Sequence, residues 1–309
     1  MMKIYLNKLN ESWVVDRFRL DWYTNNSSIS TEKINESNII WIVSPWTWRK
    51  ISSKQLRNKT VVCSIYHIDF DSFDDKEKKD FYKRDKFVDV YHVISSITKQ
   101  QLELLTNKEI ISIPFWVDDN LWFEHQNKNK LRDKYGLKEN DFLIGSFQRD
   151  TEGSDLISPK LIKGPDIFLA IAKKMHEKNK NLKVILTGKR RQYLINNFEK
   201  YEIPFKYFEM INSGSLNELY NILDLYIVSS RVEGGPQAIM ECAVSKVPIV
   251  STNVGIAPEI LSSKSLYTNE KDFFDAKADI VYAYKKSKEY TLKNGMNKYI
   301  KMFESVYEG

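Results

Sequence analysis

Cysteine, histidine and glycine are all scarce in this sequence. Of its 309 residues, two are cysteine, four are histidine and eleven are glycine. Cys63 and Cys242 sit in apolar surroundings, and no Cys/His spacing resembles a zinc site. Neither a disulfide framework nor a structural metal is therefore expected, and two buried, reduced thiols are. The glycines never form a Gly-x-Gly-x-x-Gly turn after a strand, which argues against a dinucleotide oxidoreductase. No stretch approaches the ~20 apolar residues of a membrane span. The N-terminal Met-Met-Lys-Ile-Tyr-Leu-Asn-Lys lacks the long apolar run of a secretory signal. A cytoplasmic protein is the expectation. The net charge of +6 is mild, and it permits an anionic ligand or attachment to the acidic inner face of a membrane. Lys and Arg are spread along the chain with no aromatic–basic repeat, so no nucleic-acid partner is expected. The oligomeric state is not legible.

What is present is an alternation of short apolar strands with amphipathic helices. The first half offers strands at Lys3–Asn7, Ile39–Val43, Val61–His67, Val90–Ser95 and Ile110–Pro114. The second half offers Phe142–Phe147, Leu182–Thr187, Phe205–Phe208, Leu225–Ser229 and Pro248–Thr252. Several are near-continuous apolar runs, as in parallel strands covered on both faces. Helices are predicted between them, among others at Thr98–Leu105, Asp166–His176 and Leu216–Leu223. Ser215 with Glu218 three residues on reads as a capping box for the last. The pattern predicts an α/β chain with two doubly wound Rossmann-like domains facing across a cleft. Residues 1–130 form the first domain in this reading and 131–285 the second. A C-terminal helix in 286–309 packs back toward the first.

In doubly wound sheets ligands sit beyond the carboxyl ends of the strands, so the residues just after each strand matter most. After Leu225–Ser229 comes Ser230-Arg-Val-Glu-Gly-Gly-Pro-Gln-Ala-Ile-Met-Glu241. Gly234 and Gly235 let another molecule approach the backbone. Pro236 suits a first helical position, whose free amides favour anionic or hydroxyl-rich groups. Eight residues of helix between Glu233 and Glu241 would rise about 12 Å. That suits two ends of one extended ligand and exceeds the roughly 5–9.5 Å of a carboxylate dyad acting on one bond. Arg149 follows strand Phe142–Phe147, Lys163 stands at the entrance of the next helix, and Lys189 follows strand Leu182–Thr187. Together they supply charge for a diphosphate.

The Ser230–Glu241 stretch, followed by Thr252-Asn-Val-Gly-Ile-Ala-Pro-Glu259, resembles the C-terminal domain of glycosyltransferase family 4. The resemblance runs from Leu143 to Leu261 and includes Lys163-Gly164 and Asp224. It implies the GT-B fold and a retaining, metal-independent hexosyltransferase with no cofactor. The donor implied is a nucleoside-diphosphate sugar with uridine or guanosine as base. The acceptor implied is a glycan, a lipid-linked sugar or another acceptor, as in polysaccharide or glycolipid biosynthesis. By the same resemblance Glu233 holds donor sugar hydroxyls, and the loop of Gly234, Gly235 and Pro236 brackets sugar and phosphate. Glu241 binds the ribose, and Arg149 and Lys163 bind the diphosphate and steady it as it leaves.

The first half matches less closely. His67, at the end of Val61–His67, falls where the family often carries a histidine and is the catalytic candidate there. Ile113-Pro-Phe-Trp-Val-Asp118 resembles the family's Pro-Asn-Gly-Val-Asp turn with Phe115 and Trp116 substituted. The family's glycine-rich loop after the first strand is replaced by Asn7-Lys-Leu-Asn-Glu-Ser12, with Lys8 a substitute cation. Asp69-Phe-Asp71 reads as Asp-x-Asp, a metal motif of another transferase class, and is expected here to have a local structural role. Trp46 and Trp48 follow a strand and suit either sugar stacking or a core. Other readings on the same fold are a sugar-nucleotide epimerase, a phosphorylase, or a nucleotide-sugar-binding protein without catalysis.

Overall fold

The computed structural model describes residues 1–8, 14–153 and 155–308. The chain divides into two compact units, Met1–Phe115 with Lys293–Gly309, and Trp116–Leu292. The divisions expected from sequence lie at 130/131 and 285/286. The polar stretch after Asp118 sits in the second unit because its helix, Lys128–Lys134, is tied there. The Arg132 guanidinium, 4% exposed, donates to the carbonyls of Ile222, Glu139 and Asp141 and pairs with Asp224 at 2.7 Å. Asp224 in turn accepts from the Leu143 amide. A charged linker thus becomes a brace between strands.

The first unit is one parallel sheet. Its strands are β1 (Ile4–Leu6), β2 (Ile39–Ile42), β3 (Thr60–Ile65), β4 (Val90–Val93) and β5 (Glu109–Ser112), side by side in that order. The period of two sorts their side chains onto two faces. Ile40, Ile42, Cys63, Ile65, Tyr91 and Val93 pack with Leu56, Phe81 and Leu102 from the helices on one face. Trp41 meets Trp22 and Phe303 edge-on from the other. Phe303 lies in the terminal helix Leu292–Glu308. Both cysteines are free and buried, and burial pushes the Cys63 thiol up to about 11, so it stays protonated.

One polar chain crosses this face. Trp41 Nε1–H donates to Ser64 Oγ at 2.8 Å, Ser64 Oγ meets His92 Nδ1 at 2.9 Å, and His92 Nε2 meets the Ile113 carbonyl at 2.9 Å. A carbonyl only accepts, so the neutral ring carries its proton on Nε2 and takes the Ser64 hydroxyl proton at Nδ1.

The second unit is a six-stranded parallel sheet. Its strands are β6 (Phe142–Gly145), β7 (Leu182–Thr187), β8 (Phe205–Phe208), β9 (Leu225–Val228), β10 (Ile249–Thr252) and β11 (Leu266–Tyr267), in the order β11-β10-β9-β6-β7-β8. The chain starts in the middle at β6, runs outward to β8, then returns to lay β9 on the other side of β6. Connections therefore diverge between β6 and β9, which is the crevice where such sheets hold ligands. Two sequence expectations change. Helix Ser213–Ile222 starts a turn earlier than read and is capped by Asn212, whose side chain accepts from the Ser215 amide. Glu218 pairs with Lys134 instead of completing a capping box. Among the described residues no helix is long and apolar enough to cross a membrane.

Burial depresses the His92 pKa to about 4, against 6.5 in an unfolded chain. Below pH 6.5 the unfolded chain then binds a proton that the fold refuses, so stability falls as pH drops from 6.5 toward 4. The loss attributable to His92 should reach roughly 3 kcal/mol. Urea unfolding across this range should show a steeper slope for the wild type than for His92→Gln. Identical slopes would contradict the assignment.

Candidate functional site

The loop from Ser229 to Pro236 lies at the carboxyl end of β9, beside that of β6. Nearly every part of it is held. Gly164, in left-handed backbone at φ 62°, presses against the Ser229 carbonyl so closely that any side chain there would collide with it. Gly255, at φ 49°, presses likewise on the Glu233 and Gly234 carbonyls. Between these contacts the amides of Arg231 and Val232 both donate to the Ile162 carbonyl at 2.8 and 3.2 Å. Thr252 Oγ1 donates to the Ser230 carbonyl, and Ser230 Oγ donates to Gln148 Oε1. Gln148 Nε2 donates to the Lys163 carbonyl. Arg231 forks onto Asp166 with N–O distances of 2.8 and 2.6 Å. Burial raises the Asp166 carboxyl, but the Arg231 fork and nearby amides outweigh it and hold it below the usual range. The polar side chains of this loop thus spend themselves on rigidity.

Two charged side chains meet over this frame. Lys163 closes the 3-10 turn Leu161–Lys163 just before Gly164, and its Nζ pairs with the Glu233 carboxylate. Both are mostly shielded, with side chains 23% and 15% exposed. Sequence reading placed both residues at the site and assigned them to different parts of a ligand. The structure makes them direct partners.

Arg149 and Lys189 are exposed on neighbouring turns past β6 and β7. Arg149 Nε donates to the Thr151 carbonyl at 2.7 Å. The two turns are joined because the Asp150 amide and Thr151 Oγ1 both donate to the Arg190 carbonyl. Beneath them lies an ion pair that sequence reading missed. Arg191, fully buried, donates from Nε to Asp150 Oδ2 at 3.0 Å and from a terminal nitrogen to the Thr187 carbonyl at 2.7 Å. Burial penalises both charges, raising the Asp150 carboxyl and lowering Arg191, each opposed by its partner. The pair locks the turn that carries Arg149.

Helix Gln237–Val244 leaves the loop with Pro236 as its N-cap and not its first helical residue, so the helix begins one residue later than expected. Only Gln237–Glu241 of the interval is helical, so the helix adds about 6 Å between the two glutamates and the loop sets the rest. Gly235 is half-buried, and Gly234 and Pro236 are buried. Glu241 is buried, and one oxygen accepts the Tyr220 hydroxyl at 2.8 Å. Trp122 packs edge-on against Tyr220 at 5.8 Å. Burial and then the Glu241 charge raise the Tyr220 pKa, so it remains a donor to that carboxylate.

In the first unit, His67 is exposed past the end of β3 and lines a pocket of ≈ 300 Å³ with Trp46 and Asp69. Asp69 turns back on its own loop, accepting from the Asp71 amide and the Ser72 hydroxyl. This is the local role expected of the Asp-x-Asp stretch. Trp48 is core, donating to Asp80 at 3.2 Å, whereas Trp46 is half-exposed. Phe115 stacks on Phe18 at 4.5 Å, so the substituted turn buries an aromatic plug. Lys8 is exposed, and Leu9–Ser12 lie outside the described residues.

Residues 127–290 match the family described as glycosyl transferases group 1. No curated protein sequence matches the chain. Among solved structures, Anabaena HepE in complex with UDP is similar over 99% of this chain and 100% of that one, with TM-score 0.76 and 13% identity. The same protein is also known in complex with UDP-glucose, at TM-score 0.76 and 14% identity, with coverage of 99% and 100%. Sucrose-phosphate synthase from Thermosynechococcus elongatus is similar over 95% of this chain and 77% of that one, with TM-score 0.71 and 11% identity. These likenesses establish the GT-B class of fold for the two Rossmann-like units.

Gly164→Ala should cost about 2 kcal/mol or more in denaturant unfolding, since it adds left-handed strain to a collision with Ser229. Gly214→Ala, on an exposed helical turn, should be neutral or slightly stabilising. Equal effects would contradict the clamp. Tyr220→Phe should cost about 1–3 kcal/mol in denaturant unfolding, because the buried Glu241 carboxylate loses a hydroxyl donor. Unchanged stability would contradict the role given to this hydrogen bond.

Proposed function

The chain belongs to the family of glycosyl transferases, group 1, and from that premise we propose that it moves a hexose from a nucleoside-diphosphate sugar to a carbohydrate acceptor. We place it with family 4, as a retaining enzyme that uses no metal. The observation that carries this reading is the Lys163–Glu233 pair, held at the strand-order reversal by the two glycine contacts. The pair offers one cation for a phosphate and one carboxylate for sugar hydroxyls, side by side. When donor binds, its diphosphate takes Lys163 and its sugar takes Glu233, so each charge exchanges one partner for another without being stranded. Uridine is the base we favour, because HepE is known in complex with UDP and with UDP-glucose.

In the reaction the bond between the sugar's anomeric carbon and the diphosphate oxygen breaks, and negative charge grows on that oxygen. Lys163 and Arg149, with Lys189 beside them, stabilise it electrostatically, which is the role a metal would otherwise fill. The acceptor oxygen attacks the anomeric carbon and its proton passes to the departing diphosphate. Glu233 holds hydroxyls and is not the nucleophile: a carboxylate engaged in accepting hydrogen bonds from the sugar's hydroxyls is not directed at its anomeric carbon. Glu241, oriented by Tyr220, receives the ribose.

Nucleotide release from a panel of sugar nucleotides tests this. UDP-hexose should be turned over, and Lys163→Ala and Glu233→Ala should each lower the rate about 10²–10³-fold, as when a charge-stabilising group is removed. Wild-type rates in both variants would overturn the site. Release of free sugar nucleotide isomers without transfer would overturn the reaction.

A further inference from the structure

The first unit's pocket is not accounted for by donor binding. It opens past β2 and β3, against helix Asp75–Asp85. Trp46, half-exposed, lines it together with Phe73 and Phe81. Three carboxylates line it too, and they differ in commitment. Asp80 accepts from Trp48 Nε1 and pairs with Arg49. Asp69 serves its own turn. Glu77 is exposed at the start of the helix. The other polar side chains lining it are His67, Ser72 and Arg84, the last only 6% exposed. Its guanidinium stands 5.1 Å from the Phe81 ring centre and 3.9 Å from Asp80 Oδ2, and its buried Nε has no hydrogen-bond acceptor.

We propose that this pocket is a subsite for one pyranose ring of the acceptor, and that it takes a ring carrying no negative charge. The volume is at the lower end of small-molecule pockets, enough for a single ring. A sugar offers an apolar C–H face to Trp46 and the phenylalanines and hydroxyl donors to Asp69 and Glu77. A phosphate or a uronate meets Asp69 and Glu77, which have no basic partner among the pocket's residues, while the two guanidiniums, Arg49 and Arg84, are both turned to Asp80. A metal ion is poorly served, because among the described residues no group of three or more His, Cys, Asp or Glu side chains is placed to hold one. Calling the ring an acceptor rests on the transferase reading. The binding preference itself does not.

Saturation-transfer NMR on the full chain, with methyl glucoside, methyl glucosaminide and methyl glucuronide as probes, tests it. The glucoside and glucosaminide should bind, and the glucuronide should bind at least about ten-fold more weakly. Trp46→Ala should weaken the first two about ten-fold, by loss of aromatic packing. Glu77→Gln should narrow the gap between glucoside and glucuronide. Lys163→Ala should leave all three unchanged, which separates this pocket from a donor-sugar site. Equal binding of the glucuronide, binding indifferent to Trp46→Ala, or no binding of any probe would overturn the proposal. UDP and GDP titration of the same variants is read in parallel. Loss of sugar binding in Trp46→Ala with nucleotide affinity retained supports the subsite, while a wild type that binds neither nucleotide defeats the transferase reading and leaves the pocket result standing.

Discussion

The second unit is organised by two close backbone contacts that only glycine permits. Gly164 meets the Ser229 carbonyl and Gly255 meets the carbonyls of Glu233 and Gly234, each from left-handed backbone. They fix both ends of one loop at the point where the sheet's connections diverge. Everything with chemical potential hangs from that loop or faces it: Lys163 one residue before the first clamp, Glu233 at the second, and the helix that carries Glu241 just beyond. A binding group must be positioned to within about half an ångström to be effective, which demands such support from behind.

Electrostatics then explains why the frame is populated as it is. Lys163 and Glu233 shield one another in a site where either alone would be a partly desolvated charge. Arg191 and Asp150 do the same in full burial under the neighbouring turn. The two pairs have different uses. The buried pair has no solvent-facing side through which to trade partners, so it serves as a fastener. The half-shielded pair is open to exchange with a ligand that brings a phosphate and hydroxyls together.

Much of the fold was legible because parallel strands buried on both faces leave apolar runs that few other structures leave. The strands from Ile39, Val61, Leu182 and Leu225 were all visible for that reason, while the two-residue strand Leu266–Tyr267 was too short to leave a period. The Ser230–Glu241 loop was legible because close backbone contacts demand glycine at fixed places. Helix starts were less so: Ser215 and Asn212 both suit a cap, and tertiary contacts that send Glu218 to Lys134 decided between them. The pairing of Arg191 with Asp150, 41 residues apart, left no local pattern at all. Nor did the difference between Trp46 and Trp48, two positions apart, which the placement of Asp80 on a later helix settles.

The central claim is that the donor splits the Lys163–Glu233 pair between its phosphate and its sugar. A crystal structure of the full chain with UDP-glucose tests it most directly. The account predicts the diphosphate within hydrogen-bonding reach of Lys163 Nζ and a sugar hydroxyl on the Glu233 carboxylate, with the Ser229–Pro236 backbone unmoved. A bound donor that leaves the ion pair intact, or that binds away from the carboxyl ends of β6 and β9, would contradict it.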